Sequence, residues 1–324
     1  FVAVLMPLVL ALGYDSIVAV AITYLACNLG FSAAMLNPFT VGIAQSIAGI
    51  QLYSGVEFRT LVWFVSTLVG CGFVMFYAMK IKKNPELSPM FEHDQVKREK
   101  LKSTESEHTE FTLRHKIIIA ALFTSIALVV YGVLKLEFWI PQIAAVFLGL
   151  GIISGLVGKL APNEIAEAFT DGAKDMIGAA IMIGLAKSVM IIAQNANIID
   201  TILFNLANVV GQLPSLIASY IMFVIQMFIN FFVSSGSGQA ALTMPILAPL
   251  GDLVGISRQL SVLIYQLGDG FSNAMFPTSG VLIACLGMAG VPYGKWLKWI
   301  LPLQAILFMT AIVFITIASL IGWA

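Results

Sequence analysis

Polar side chains cluster around two prolines inside otherwise apolar stretches of this chain. The first cluster comprises Asn28, Ser32, Asn37 and Thr40, and the second comprises Asp269, Ser272, Asn273, Thr278 and Ser279. Proline removes a backbone donor and frees a carbonyl oxygen one turn earlier, so a helix breaks there. The half-helix N-termini then offer N–H groups to an anion, and carbonyl oxygens at the half-helix C-termini suit Na⁺. Together the two breaks favour a substrate-binding site, whereas one break alone would mostly indicate a structural kink.

A Ser- and Gly-rich segment, Ser234-Ser235-Gly236-Ser237-Gly238-Gln239, is the second candidate. The apolar stretch that follows it, Gln239 to Leu250, is too short to cross a bilayer as a helix. Non-helical backbone at membrane depth must be buried in protein or line a wet cavity. We therefore predict a re-entrant hairpin whose tip holds a cation and whose Gln239 belongs to the substrate site; the alternative is an ordinary turn outside the membrane. The predicted cation (Na⁺) site comprises Ser235, Gly236, Ser237, Asn273 and Thr278.

Two charged residues fall inside predicted membrane spans. Asp269 is a carboxylate and Lys187 is a base, and an ionisable residue in a membrane span marks a functional site by default. Asp269 suits a proton, a cation or the ammonium of a basic amino acid, whereas Lys187 is a possible charge partner for a C4-dicarboxylate. We favour the basic amino acid because Asp269 lies one turn before the second break. In the alternative interpretation the two residues form a structural pair, or Lys187 extends to the membrane surface.

The pattern of helix, break and helix occurs twice. Residues Gly30 to Thr40 reappear, with small changes, about 239 positions later as Gly270 to Ser279, and Met6-Pro7 corresponds to Met244-Pro245. Repeats that carry matching broken helices are typical of secondary transporters, with the site at the repeat interface. The distribution of Lys and Arg predicts opposite orientations for the two copies.

Composition predicts an all-α integral membrane protein. Hydrophobic residues make up 59% of the 324 residues, charged residues make up 10%, and the mean hydropathy is +0.96. Lys80 to Lys116 contain 16 of the 34 charged residues, so this stretch is predicted to be a cytoplasmic linker. The three cysteines are widely spaced and predict neither a disulfide framework nor a metal site. The interleaved charges of the linker do not indicate a nucleic-acid surface.

These features divide the chain into three parts. Residues 1–80 are the C-terminal part of the first repeat, 81–115 the linker, and 116–324 the second repeat, with a re-entrant hairpin at 214–250 and a broken helix at 258–290. Because Phe1 begins inside an apolar run, we expect an N-terminally truncated first repeat whose hairpin tip precedes this residue.

Further expectations concern individual elements. Leu61–Met79 and Trp299–Ile321, which lack polar mid-span residues, are predicted scaffold spans, and Arg59 is assigned to an external loop. Residues 162–175 are expected along the membrane surface and 176–193 as a separate span. Residues 91–110 have too little apolar area to order themselves.

The segments Gly30 to Thr40, Ser234 to Pro245 and Gly268 to Gly280 resemble the ion-transporter superfamily. Within it, the chain resembles the C4-dicarboxylate anaerobic carrier (DcuC-type) family, and most of all its YfcC-type basic amino-acid antiporters. The resemblance implies two inverted repeats, each with a re-entrant hairpin and a broken helix, a homodimer in the lipid of the inner membrane, and alternating access for a small-molecule substrate. It implies Na⁺ or H⁺ as coupling ion and no cofactor. The tip Ser235-Gly236-Ser237 departs from the Ser-Asn-Thr that is frequent in the superfamily.

Two other classes compete with a carrier. Tyr14-Asp15 and Gly268-Asp269 resemble the paired motifs of intramembrane aspartyl proteases, but Gln266 replaces a required glycine and no Pro-Ala-Leu follows. A channel would share the polar breaks without needing hairpins of opposite orientation. We therefore predict a transporter rather than an enzyme, with a channel as the further alternative.

Overall fold

The protein is helical throughout the part that the computed structural model describes, which is residues 1–104, 112–136, 138, 140–198, 201, 205, 208 and 210–324. It forms two compact units, one of residues 1–98 and 178–324 and one of residues 99–177. A helix satisfies its backbone hydrogen bonds internally, which is what a membrane requires. Together with the apolar composition, this confirms the all-α membrane fold.

The helices are numbered in chain order. They are α1 (Val2–Ala11), α2 (Ser16–Ser32), α3 (38–48), α4 (Val56–Lys83), α5 (Phe91–Thr104), α6 (Leu113–Lys135), α7 (Ile140–Val157), α8 (Pro162–Asn195), α9 (Ser215–Phe232), α10 (Gly236–Leu253), α11 (Arg258–Ser272), α12 (Gly280–Ala289) and α13 (Tyr293–Leu320). Three of these described helices, α4, α9 and α13, are long and apolar enough to span a membrane. In the second unit, α6 packs against α7.

The repeat predicted from the sequence is present in the first unit. The series α1, α2, α3 and α4 corresponds to α10, α11, α12 and α13, and both α4 and α13 have 28 residues. The half-helices α3 and α12 end at equivalent glycines, Gly49 and Gly290, with φ of 68° and 59°. This left-handed conformation favours glycine, which explains the residue type at both positions.

Contacts between the copies follow a two-fold pattern. Helix α1 packs against α12, and the equivalent α10 packs against α3. The crossed contacts α2 with α12 and α11 with α3 are likewise equivalent. The remaining pairs join each element to its own counterpart, α2 to α11 and α4 to α13. This pattern brings both broken helices to the centre of the unit, as an inverted repeat predicts.

Local sequence explains both breaks. Helix α2 ends at Ser32, and α3 begins at Pro38 after Asn37, whose side chain accepts a hydrogen bond from the Phe39 N–H at 2.8 Å. Proline is favoured in the first turn because its missing N–H would have no helical partner there. In the second copy, Pro277 lies between the end of α11 and the start of α12. Wider, π-type turns occur at Ala21–Leu25 and Pro38–Gly42, a feature frequent near functional sites.

Two sequence-based boundaries are wrong. Arg59 belongs to α4 and is 1% exposed, because the helix begins at Val56 directly after the left-handed Gly55. Residues 162–195 form one helix rather than a surface helix followed by a span. An ion pair between Lys174 and Asp171, three residues apart at 2.8 Å, supports helical structure in the polar part.

The expectation that residues 91–110 would not be ordered is wrong for residues 91–104. Residues 91–104 form α5, in which Asp94 is 1% exposed, and the preceding Met90 is fully buried. Within the first unit, Asp94 accepts a hydrogen bond from the Ser16 N–H and Arg98 donates to the Tyr14 carbonyl, and these bonds order the polar segment. Residues 105–111 lie outside the described part of the chain.

Candidate functional site

A cavity of about 260 Å³ lies between the two broken helices and the hairpin tip. Its wall comprises Tyr24, Cys27, Asn28, Phe31, Ser234, Gly236, Asn273, Ser279 and Val281. Both repeats contribute to it, since the first four residues belong to α2 and the others to the second repeat. Ligand pockets typically measure about 300–1,000 Å³, so this cavity suits a small ligand. Of the predicted substrate-binding residues, Asn28, Asn273 and Ser279 lie on its wall.

The hairpin tip is shorter than the sequence predicts. Helix α10 begins at Gly236 rather than at Gln239, and only residues 233–235 separate it from α9. The Ser235 hydroxyl caps α10 by accepting a hydrogen bond from the Gly238 N–H at 3.4 Å. The Ser234 hydroxyl donates to the Thr278 carbonyl at 2.8 Å, which joins the tip to the second break. The hydroxyl-rich tip thus contacts the polar residues around the second break. Ser237 is half-buried.

Asn230, one turn before the tip, fixes the hairpin to the second broken helix. Its side-chain NH₂ group donates to the Asp269 carbonyl at 2.9 Å, the Ser272 hydroxyl at 2.8 Å and the Asn273 side-chain oxygen at 3.0 Å. Sequence analysis missed this residue, although a lone asparagine in the apolar end of α9 was a usable signal. Ser272 in turn donates to the Gly268 carbonyl at 2.7 Å, so its hydroxyl is engaged within α11.

Gln239 is fully buried and is not on the cavity wall. Its side-chain nitrogen donates to the Gln226 carbonyl and to the Gln226 side-chain oxygen, both at 2.8 Å. The Thr243 hydroxyl also donates to that side-chain oxygen, at 3.1 Å. The structure therefore places Gln239 between the two arms of the hairpin.

Asp269 is fully buried behind the hairpin tip. A Cβ atom at Gly236 would lie 3.2 Å from its Oδ2 atom and 2.7 Å from the Thr40 methyl carbon, so both side chains border this glycine. In the described part of the chain, neither carboxylate oxygen of Asp269 nor the buried hydroxyl of Thr40 has a hydrogen-bond partner. A buried carboxylate without a partner is costly, so this group requires a proton or a cation.

The tip is held against Asp269 by a neighbouring tyrosine. The Tyr265 hydroxyl, one turn earlier on α11, donates to the Gly236 carbonyl at 2.6 Å. Thr278, across the tip, also has a buried hydroxyl with no partner among the described residues. Oxygen atoms from both breaks are thus available close to the tip.

The first break meets the second through α2. The Asn28 side chain donates to the Gly270 carbonyl at 3.3 Å, and the Tyr24 hydroxyl donates to the Asn273 carbonyl at 2.9 Å. Ser32 is buried and donates to the carbonyl of Asn28 on its own helix. Asn37 caps α3, as described above, and is not on the cavity wall. Residues of α2 that precede its C-terminal end therefore line the cavity, whereas the Asn37-Pro38 pair does not.

Sequence analysis also missed the role of Arg59. Its guanidinium donates to the side-chain oxygens of Gln266 at 2.7 Å and Gln259 at 3.3 Å, and it lies 5.3 Å from the ring centre of Trp323. Gln266 in turn donates to the Ala34 carbonyl, at the end of the first half-helix, at 2.6 Å. Among the described residues no carboxylate pairs with Arg59. This buried cation links α4 to both breaks.

The two remaining charged candidates lie elsewhere. The side chain of Lys187, on α8, is outside the part of the chain that the structure describes. Asp15 caps the N-terminus of α2 by accepting from the Val18 N–H at 2.9 Å, and its other oxygen accepts from Tyr77 and Ser88. Among the described residues, Asp15 and Asp269 share no hydrogen-bond partner.

Two-fold related copies with broken helices, meeting at a central cavity, define an inverted-repeat membrane transporter fold. A family model described as "C4-dicarboxylate anaerobic carrier" matches residues 1–320, and the chain belongs to this family.

Two curated relatives are similar over nearly the whole chain. An Escherichia coli protein named "Putative basic amino acid antiporter YfcC" is 41% identical over 334 residues, which cover 100% of this chain and 66% of that protein. An uncharacterised protein of Haemophilus influenzae is 34% identical, and the matched region covers 95% of this chain and 61% of that protein. The chain thus spans somewhat less than two thirds of the length of these relatives.

One solved structure shares the fold. The YdaH transporter of Alcanivorax borkumensis superposes with a TM-score of 0.52 at 17% identity. The superposed region covers 99% of this chain and 73% of the YdaH chain. At this identity the likeness concerns the fold alone. It agrees with the transporter architecture derived above from the repeats.

Proposed function

We propose that this protein carries a small amino or carboxylic acid across the cytoplasmic membrane by alternating access, as ion-coupled symport or as substrate exchange. The observation that carries the proposal is a cavity built jointly by both repeats, where Asn28 of α2 faces Ser234 of the tip and Asn273 of the second break. Motion of one set of elements against another around a site at a repeat interface exposes that site to each side in turn. Membership of a carrier family supports the same function.

The start of α12 is the binding position that we propose for the substrate carboxylate. Ser279 is the N-cap of this helix, and both Ser279 and Val281 lie on the cavity wall. The first N–H groups of a helix have no helical partner and carry the positive end of the helix dipole. A carboxylate in the cavity would therefore receive hydrogen bonds from the backbone of the second break.

A basic amino acid is our preferred substrate. The described residues on the cavity wall include no Lys, Arg or His, so the second carboxylate of a dicarboxylate would lack a cationic partner there. The name of the 41% identical relative supports the same class. Asp269 is separated from the cavity by Gly236, so the ammonium or guanidinium group would meet Asn and Ser oxygens first.

The second candidate is a C4-dicarboxylate, which the description of the family favours. In that case Lys187 would be the charge partner, as the sequence suggested. The two candidates make different predictions for substitution of Lys187, which only the dicarboxylate would need, so one set of transport assays separates them.

We assign the coupling ion to the tip. Asp269, Thr40 and Thr278 contribute buried oxygen atoms that have no hydrogen-bond partner among the described residues. Na⁺ prefers several oxygen ligands, which this cluster, with carbonyl groups of the tip, would supply. Ser235 and Ser237 remain proposed ligands, although the Ser235 hydroxyl already caps α10. If the coupling ion is H⁺, Asp269 alone carries it.

Counterflow in proteoliposomes of the full-length protein tests the proposal. We expect uptake of labelled arginine to saturate, to accelerate with unlabelled arginine inside, and to be inhibited by ornithine more than by succinate or fumarate. Flux that neither saturates nor exchanges would indicate a channel. Inhibition by the dicarboxylates alone, relieved by Lys187→Gln and not by Asp269→Asn, would overturn the choice of substrate.

A further inference from the structure

The segment between the repeats binds the ends of two helices that line the cavity. Asp94 of α5 accepts hydrogen bonds from the backbone N–H of Ser16 at 2.7 Å and from the Ser16 hydroxyl at 2.5 Å. Ser16 is the first residue of α2, whose later residues Cys27 and Asn28 lie on the cavity wall. An acidic group at a helix N-terminus is favourable because it satisfies a free N–H group and complements the helix dipole.

Lys97 extends this contact to the second repeat. Its ammonium donates to Asp94 at 2.9 Å, to the Ser16 hydroxyl at 2.8 Å and to the Ala289 carbonyl at 2.8 Å. Ala289 is the last residue of α12, so the cation lies at a helix C-terminus, where the dipole favours positive charge. One side chain therefore ties the start of α2 to the end of α12.

The same segment is also anchored to α4 and α13, the two helices predicted to form the scaffold. Lys295 of α13 donates to the Pro89 carbonyl at 2.6 Å. The Ser88 hydroxyl donates at 2.6 Å to Asp15, which also accepts from Tyr77 of α4. Residues 88–98 thus bond the broken helices and α13 directly, and they are linked to α4 through Asp15.

We propose that residues 88–98, which we name the inter-repeat clasp, are a gate that closes the linker side of the cavity. The inference rests on the proposed function, because a gate has meaning only if the cavity opens to that side. The clasp holds the adjacent ends of α2 and α12 together, and the cavity lies farther along the same two helices. Its release lets these ends separate while the clasp stays attached to the scaffold.

Access to Cys27 measures the gate without a substrate. This thiol is exposed on the cavity wall, so its reaction with a reagent on the linker side depends on whether that side is open. The two other cysteines of this chain, Cys71 and Cys285, are replaced by Ser. A membrane-impermeant maleimide is added to the linker side of sealed vesicles that contain the full-length protein with Cys27 as its single cysteine. Lys97→Ala removes the ammonium that joins both helices. Lys174→Ala is the matched control, because Lys174 is an exposed residue of the second unit that pairs with Asp171 on the same helix.

Release of the clasp should raise the rate of Cys27 labelling from the linker side about tenfold, which corresponds to about 1.4 kcal/mol in the gate equilibrium. Lys174→Ala should leave the rate unchanged, and Lys97→Arg should restore most of the protection. Equal labelling of the Lys97→Ala and Lys174→Ala proteins would overturn the proposal. So would a rate raised equally from both sides, which indicates loosening of the whole fold.

Ser16→Ala provides a milder variant in case Lys97→Ala does not fold, and it should raise the rate about threefold. The labelling experiment tests the gate and the uptake experiment tests the proposed transport, so either hypothesis can be refuted without the other. A protein whose Cys27 responds to Lys97→Ala but which carries neither arginine nor succinate would refute the proposed transport and leave the gate standing. Uptake with no response of Cys27 would refute the gate alone.

Discussion

Substitution of Gly270 by Ala tests the contact between the two broken helices. A Cβ atom at Gly270 would overlap the Cα and Cβ atoms of Ser32 on α2. Gly30 is the equivalent residue of the first repeat, and a Cβ atom there would meet no atom within 4 Å. The two glycines therefore have the same place in the repeat and opposite steric environments.

The size of the effect follows from this comparison. Glycine to alanine inside a helix stabilises it by about 0.5–1 kcal/mol, and this contribution is common to both variants. A methyl group forced into a packed interior costs about 1–3 kcal/mol, and this cost applies only at Gly270. We therefore expect Gly270→Ala to be about 1–3 kcal/mol less stable than Gly30→Ala. For a unit of this size that difference lowers the midpoint of thermal unfolding by roughly 3–9 °C.

Thermal unfolding of both variants in the same detergent, followed by the loss of the monodisperse peak, measures this difference. Uptake should also fall in Gly270→Ala, because separation of α2 from α11 widens the cavity between Asn28 and Asn273. Equal midpoints for the two variants would refute the close crossing of α2 and α11. A lower midpoint for Gly30→Ala than for Gly270→Ala would contradict the steric difference between the two sites, which is crowded at Gly270 and open at Gly30.

Three further predictions concern single side chains. Asn230→Ala removes two N–H donors from the second break and should lower stability by about 1–3 kcal/mol. Asn205→Ala is its control and should change the unfolding midpoint little, because the exposed Asn205 side chain bonds only the nearby carbonyl of Thr201 among the described residues. Tyr265→Phe should raise the coupling-ion concentration that half-saturates uptake about fivefold, and an equal rise in Tyr220→Phe would contradict a specific role for the Gly236 contact. Burial raises the pKa of Asp15 above its ordinary value, so the folded protein binds this proton more tightly than the unfolded chain. Stability should therefore rise as the pH falls from that raised pKa towards about 3.9, more in the wild type than in Asp15→Asn, and parallel pH curves would refute the assignment.

The repeat and both breaks were predictable because they depend on local sequence. Proline and the preceding polar residues determine where each helix ends, and apolar length determines where it spans. The pairing of Gly30 with Gly270 even indicated that the two breaks are equivalent. These features require no knowledge of what packs against them.

Residues whose role depends on a distant partner were missed. Asn230 acts through a helix 39 residues away, and Arg59 acts through Gln266, 207 residues away. Asp94 was assigned to a disordered linker because its neighbours are charged, but its carboxylate is buried against Ser16. The composition of a polar segment indicates how unfavourable it is to order that segment by itself. It does not show the hydrogen bonds that another part of the chain supplies. Gln239 was predicted to bind substrate because of its residue type, and its hydrogen bond to Gln226 could not be foreseen from the sequence.

The ion dependence of uptake by Asp269→Asn tests the central claim most directly. Full-length protein in liposomes is given a Na⁺ gradient, a proton gradient or neither, and initial uptake of labelled arginine is measured. Asp171→Asn is the matched control, since Asp171 is an exposed residue of the second unit that pairs with Lys174. We predict that wild type and Asp171→Asn depend on one of the two gradients, and that Asp269→Asn loses this dependence while retaining exchange of arginine. Unchanged gradient dependence in Asp269→Asn would contradict a coupling site at the hairpin tip.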